Sequence, residues 1–176
     1  MEPTIDLAAR QRADHFDRLF AEHQKVLFSY LLGQCGRRDE AEDLLQQVFV
    51  RVWRHIGEAM EKPETAMRPW LFAIASNLVV DHRRRKRTRK DLEHAMPFEA
   101  VDGACGPDKV VEMNDSMRRL DEAIGRLPEE WRTSFTMNIV GGMSSEEIGK
   151  ALGKPAGTIR YHVSGARQRL AKEMER

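Results

Sequence analysis

Nothing in this 176-residue chain alternates apolar and polar residues over the length of a strand. That absence excludes a sheet framework and leaves an all-α protein. Aromatic residues are sparse, at 7%, and there are only two cysteines. Cys35 and Cys105 stand alone, with no CxxC pair, which excludes a disulfide scaffold and a zinc knuckle. Each reads as a buried, inert thiol. No run approaches the roughly 20 apolar residues of a membrane-spanning helix. The opening MEPTIDLAARQR has no apolar stretch behind a basic one, so no secretory leader and no membrane insertion are expected, and the protein is read as cytoplasmic. The six histidines are scattered without metal-ligand spacing, and no glycine-rich phosphate loop is present. The expectation is therefore a protein that is not an enzyme, with no catalytic residues, no metal and no cofactor.

What the chain does have is charge in blocks. The formal net charge is only +1, yet residues 1–50 are acidic by three charges and residues 51–90 basic by seven. Residues 91–112 are acidic again by five, and residues 113–176 basic by two. Such segregation implies more than one charged partner surface. The stretch 91–112, DLEHAMPFEAVDGACGPDKVVE, carries Pro97, Gly103, Gly106 and Pro107 and no sustained period. It reads as an acidic, flexible linker between two small helical domains, 13–90 and 113–176.

In the first domain a helix is expected from about Ala13 to Leu32, ending near Gly33. In the next, Ala41, Leu44, Leu45, Val48, Phe49 and Val52 fall at i, i+3, i+4, i+7, i+8 and i+11, one continuous apolar stripe. Its other faces carry Asp39, Glu42, Asp43, Gln46 and Gln47. A loop is expected over 57–68. Pro69 would then open a helix that buries Trp70, Leu71, Ile74, Ala75 and Leu78. That helix runs into Arg83, Arg84, Arg85, Lys86 and Arg87, and residues 83–90 hold seven cations in eight positions. A run this dense exceeds what a helix end requires and is drawn to phosphate by counterion release. One turn earlier, Asn77 and Asp81 lie on the less apolar face. Asn77 can both donate to and accept from a base, and Trp70 and Phe72 are candidates for stacking on unpaired bases.

The second domain is better punctuated. Pro128-Glu129-Glu130 starts a helix, Gly141-Gly142 stops it, and Ser144 with Glu147 forms an S-x-x-E capping box. From Ser144 to Arg169 the pattern is that of a helix-turn-helix. Gly149 is the small residue where the helices cross and Gly153 the turn, while Ile148, Leu152, Ile159 and Val163 lock the pair. The second helix opens near Pro155 and exposes Thr158, Arg160, Tyr161, Ser164, Arg167 and Gln168, a face suited to the major groove. Arg160 and Arg167 suit phosphates, and Tyr161 and Ser164 suit base edges.

Taken together, these segments resemble the extracytoplasmic-function sigma factors of bacterial RNA polymerase. DEAEDLLQQVFVRVWRHI and RPWLFAIASNLVVDHRRRKR resemble the family's region 2. LPEEWRTSFTMNIVGGMSSEEIGKALGKPAGTIRYHVSGARQRL resembles its region 4. The order, the spacing and the lack of a region 3 domain also match. The resemblance implies a subunit that directs promoter-specific initiation. Asp39, Glu42, Asp43, Gln46 and Gln47 would dock on the clamp helices of the largest subunit of core polymerase. Asn77, Asp81, Arg83, Arg84, Arg85 and Arg87 would engage promoter DNA at the minus-ten element. Thr158, Arg160, Tyr161, Ser164 and Arg167 would engage it at the minus-thirty-five element. The acidic linker would thread toward the active-centre and RNA-exit channels. An anti-sigma factor is implied as well, since such factors are usually sequestered, and two small domains on a loose tether suit a clamping partner. Lys154-Pro155 and Gly165 depart from the family pattern, Gly165 standing where a cation often sits on the reading face. The alternative is a helix-turn-helix regulator of the response-regulator or quorum type, which shares the second motif. That class carries a strand-bearing receiver or ligand domain in front, and residues 1–112 show no such pattern.

Overall fold

The computed structural model describes the backbone of residues 7–95 and 115–175, and the side chains of residues 7–89 and 118–175. All regular structure there is helical: α1 Leu7–Cys35, α2 Arg38–Arg54, α3 Ile56–Glu61, α4 Glu64–Ala95, α5 Asp115–Gly125, α6 Glu129–Ile139, α7 Ser145–Leu152 and α8 Ala156–Met174. Helix α4 continues five residues beyond the expected domain end at 90. The rest of the expected linker, with Cys105, lies outside the described residues.

The stripe of α2 is buried as its period requires. Ala41, Leu44, Val48, Phe49 and Val52 are 5% exposed or less and pack with α1 and α4. Helix α1 does not stop at Gly33. It continues to Cys35 because Gln34 is buried in a hydrogen-bonded setting, and Gly36, at φ 71°, supplies the left-handed turn. The expected loop over 57–68 is instead mostly helical, formed by α3 and the first turn of α4. Pro69 is thus the sixth residue of α4, not its opening. It lies beyond the first four residues, whose N–H groups lack helical acceptors, so it forgoes one bond, to the Thr65 carbonyl, and its ring is buried in the cleft between α4 and α7.

The two halves were expected to sit loosely on a tether, yet among the described residues they share a core. Met137, Met143, Ile148, Ile159 and Val163 of the second half join one apolar cluster with α1, α2 and α4. A smaller cluster, Ala123, Leu127, Ala166 and Leu170, lies wholly within the second half. The physical reason for the shared core is close approach: a Cβ on Gly141 would stand 2.9 Å from Phe72 Cζ, so bare backbone rests on that ring. No helix among the described residues is long and apolar enough to cross a membrane.

Candidate nucleic-acid and protein interfaces

Because the apolar stripe of α2 is consumed by its own core, the opposite face is left to water. Asp39, Glu42, Asp43, Gln46 and Gln47 are all exposed. Two have local partners: Arg37 bonds Asp39 at 2.6 Å and Arg38 bonds Glu42 at 2.8 Å. The Arg37 guanidinium draws the Asp39 carboxyl down to about 2, so this face stays anionic at any physiological pH. Beside it lies a feature absent from the sequence-level reading. Phe16 and Phe20 of α1 and Leu45, Phe49, Val50 and Trp53 of α2 line an apolar groove of about 820 Å³, rimmed by Asp17, Glu42 and Arg54. Trp53 is 48% exposed and meets Phe16 edge to face at 5.3 Å. The available signal was that Val50 and Trp53 are large apolar residues outside the buried stripe.

Helix α4 carries the basic run, and the structure divides it. Arg84 and Arg85 are exposed, and no carboxylate pairs with either among the described residues. Arg83 is only 18% exposed. Its guanidinium donates to the Gln34 carbonyl at 2.9 Å and the Gln34 side-chain oxygen at 2.8 Å, and pairs with Glu129 of α6 at 2.9 Å. Arg87 reaches the same carboxylate at 3.8 Å but remains 80% exposed. Lys86 and His82 both hold Glu40, at 2.8 and 2.9 Å, tying α4 to the start of α2. Asn77 is exposed, and Asp81 faces Arg51 at 3.6 Å.

The aromatic candidates fare differently. Phe72 is 1% exposed, packed against Tyr30 at 5.1 Å and under Gly141, so it has no face left for a base. Trp70 is half-buried, with the Lys62 ammonium 5.5 Å above its ring. Cys35 is also half-buried, and burial, with Glu40 nearby, pushes its thiol up to about 11. That is an unreactive protonation state at neutral pH.

The helix-turn-helix forms as its punctuation demands. Ser144 caps α7 by accepting from the Glu147 amide at 3.2 Å, and the Glu147 carboxylate accepts from the Ser144 amide at 2.8 Å. Gly153 sits at φ 64°, the left-handed conformation that closes α7. A Cβ on Gly149 would be 2.6 Å from the Lys154 carbonyl, so only glycine permits the turn to pass this closely. Ile148 and Ile159 are fully buried and Val163 nearly so, while Leu152 is half-buried. Arg160, Tyr161, Ser164, Arg167 and Gln168 are exposed, and Thr158 is half-buried at the start of α8. Arg160 pairs with Glu146 at 3.0 Å and Arg167 with Asn138 at 2.9 Å. Tyr161 stands 66% exposed with its ring edge-on to Trp131, at 5.7 Å.

Gly165 is not on that reading face. A Cβ there would lie 2.4 Å from Trp131 Cη2, so the position is a seat for the indole, not a vacant cation site. Beneath α8, His162 is buried between Ser134, at 3.3 Å, and Glu130, at 3.6 Å; desolvation holds its pKa below the ordinary value. Lys154, in the turn, pairs with the same Glu130.

Comparison with known proteins agrees with this division. Residues 19–89 match the model for sigma-70 region 2, and residues 117–170 the model for sigma-70 region 4. The chain is 30% identical over 160 residues to the ECF RNA polymerase sigma factor SigL of Mycobacterium tuberculosis, covering 89% of this chain and 86% of SigL. It is 28% identical over 172 residues to the ECF sigma factor BldN of Streptomyces coelicolor, covering 98% of this chain but only 65% of BldN. Among solved structures it resembles the sigma factor RpoE of Bartonella quintana, crystallised with the anti-sigma factor NepR. The TM-score is 0.71 at 22% identity, with 91% of this chain and 96% of that one covered.

Proposed function

This chain belongs to the ECF RNA polymerase sigma factors, and we propose how its surfaces divide the work of promoter-specific transcription initiation. Core polymerase docks on α2. The exposed row Asp39, Glu42, Asp43, Gln46 and Gln47 supplies the charged half of the contact, and the adjoining groove floored by Phe16, Phe49 and Trp53 supplies the apolar half. The clamp helices of the largest subunit are the matching partner, because an amphipathic helix with a basic edge fills such a groove and answers its acidic rim. Helix α4 engages the minus-ten element. Asn77 offers a base-reading amide there, Asp81 and Arg83 flank it, Arg84 and Arg85 lie free for phosphate, and Arg87, mostly exposed, can exchange its long contact with Glu129 for one. Helix α8 enters the major groove of the minus-thirty-five element with Thr158, Arg160, Tyr161, Ser164 and Arg167.

The domains span 13–90 and 113–176, and the acidic residues 91–112 thread toward the active-centre and RNA-exit channels. The protein acts in the cytoplasm, and an anti-sigma factor controls it; RpoE, the structural relative, was crystallised with one. The observation that carries this reading is the row on α2, polar and exposed, beside an apolar groove that none of the described residues fills. The double reversal Glu42→Lys, Asp43→Lys removes the acidic edge without touching the buried stripe. Pull-down of core polymerase is expected to weaken while far-UV helicity and melting stay as in the wild type. Unchanged core recovery by the double variant places the docking surface elsewhere.

A further inference from the structure

Among the groups that α8 turns toward solvent, the two arginines already have partners. Arg160 is held by Glu146 at 3.0 Å and Arg167 by Asn138 at 2.9 Å. Tyr161 is held differently. It is mostly exposed, and its ring meets the Trp131 indole of α6 edge to face, with the centroids 5.7 Å apart and the planes at 88°. One side of the phenol is therefore set by a residue outside α8, and the other side is open to water.

The indole cannot follow the tyrosine, because it is fixed from two directions. With Ile124 and Phe135 it packs against the buried cluster Ala123, Leu127, Ala166 and Leu170. Its six-membered ring rests on Gly165, where a Cβ would come within 2.4 Å of Cη2 and 2.5 Å of Cζ3. Gly165 lies one helical turn beyond Tyr161, so a ring seated there meets the tyrosine side chain of the turn before. The start of α6 is tied down as well: Glu130, next to Trp131, pairs with Lys154 in the turn and faces His162 of α8 at 3.6 Å. An edge-to-face contact between two rings favours the placement that makes it by a factor of about 2–12.

We propose that Trp131 is a positioning residue for promoter specificity: it holds the Tyr161 ring in place on the α8 face, where the ring meets the methyl group of one thymine in the upstream element. The proposal rests on the placement of α8 in the major groove given above, and adds a residue outside that helix which sets its selectivity. Thymine is the base that presents a methyl group in the major groove, and an apolar ring is the side chain that answers it. A tyrosine without the indole beside it spends part of its time turned away from that methyl. Discrimination at that base pair then falls, while the contacts to phosphate, which carry no sequence information, stay as they were.

The test uses the full chain with core polymerase, on a genomic promoter fragment that the wild type transcribes, with its upstream element randomised. Bound fragments are sequenced for the wild type, Tyr161→Ala, Trp131→Leu, Trp131→Phe and Gly165→Ala. Tyr161→Ala is expected to lose a thymine preference at one position. Trp131→Leu should weaken the preference at that same position by about 2–12-fold, with the rest of the selected motif intact. Trp131→Phe keeps a ring on Gly165 and should restore most of it. Gly165→Ala pushes the indole away from the other side and should weaken the same position, which keeps the question answerable if Trp131→Leu does not fold. Deoxyuridine in place of that thymine should cost the wild type about 4-fold in binding and cost Tyr161→Ala nothing. A Trp131→Leu protein that binds all sequences more weakly by the same factor overturns the proposal, and so does one that loses preference at a position other than that of Tyr161. Deoxyuridine bound as tightly as thymine by the wild type overturns the methyl contact. An unchanged motif in Tyr161→Ala overturns the placement of Tyr161 on the reading face itself, and the role of Trp131 with it.

Discussion

Two glycines of the helix-turn-helix make opposite demands, and substituting each with alanine separates close approach from mere helix propensity. At Gly149 the added methyl would stand 2.6 Å from the Lys154 carbonyl oxygen, a backbone atom that no rotamer change can move. The Lys154 amide donates to the Gly149 carbonyl at 2.9 Å, and the Lys154 side chain is held by Glu130, so the turn is anchored on both sides of the clash. Overpacking of this kind costs about 1–3 kcal/mol, and loosening the cap bond about 0.5–1.5 kcal/mol more. Removing glycine from a helix returns about 1 kcal/mol. The clash wins, for a net loss of roughly 0.5–3.5 kcal/mol, and in a chain of this size each kcal/mol lowers Tm by about 2–4 °C. At Gly157, in the first turn of α8, a Cβ meets nothing within 4 Å. The same substitution there should leave Tm unchanged or raise it slightly. Thermal melts of the wild type and the two variants, followed by circular dichroism, decide the matter. A Gly149→Ala protein that melts with or above Gly157→Ala refutes the claim that the turn passes too closely for a side chain.

The basic run gives a second contrast: Arg84→Ala with Arg85→Ala should weaken promoter binding for all sequences alike and flatten its salt dependence by about one slope unit per lost contact. A shift in promoter choice with the slope intact would count against phosphate contact. The capping box gives a pH dependence confined to acid. Hydrogen bonds from Ser144 hold the Glu147 pKa below its ordinary value of 4.5, so the stability they contribute is complete above that value and fades as pH falls through the lower folded-state pKa. Amide exchange within α7 should therefore accelerate more steeply on acidification in the wild type than in Glu147→Gln; equal acid sensitivity in the two would show that the box carries none of it.

Features written into neighbouring residues were legible from the sequence, and features made by distant partners were not. The α2 stripe, the Ser144–Glu147 box and the Gly149–Gly153 turn are statements about spacing within one or two helical turns, and each forms where spacing puts it. Pro69 misled because its proline suits a helix start, while the start itself was decided by α3 before it. Gly165 misled in another way. As one residue of an exposed-looking face it reads as a missing cation, and only the Trp131 indole, 34 positions earlier, shows why no side chain is there. Phe72 reads equally well as a base-stacking ring or a core residue until Gly141 is laid on it.

The basic run makes the same point about charge. Arg83, Arg84 and Arg85 are indistinguishable by composition, yet a rotation of about 100° per residue around the helix sends each in a different direction. Arg83 meets Gln34 and Glu129, while its two successors meet water. Gln34 shows why no local pattern could have revealed this: its amide finds Thr136, 102 residues along the chain. A polar residue near a helix end is ordinarily solvated, and what makes this one structural is the arrival of the other half of the molecule. A surface read from a single helix is thus a list of groups that could bind. Which of them are free is a property of how the two halves sit together, and in this chain that arrangement occupies Arg83 while leaving Arg84 and Arg85 in water.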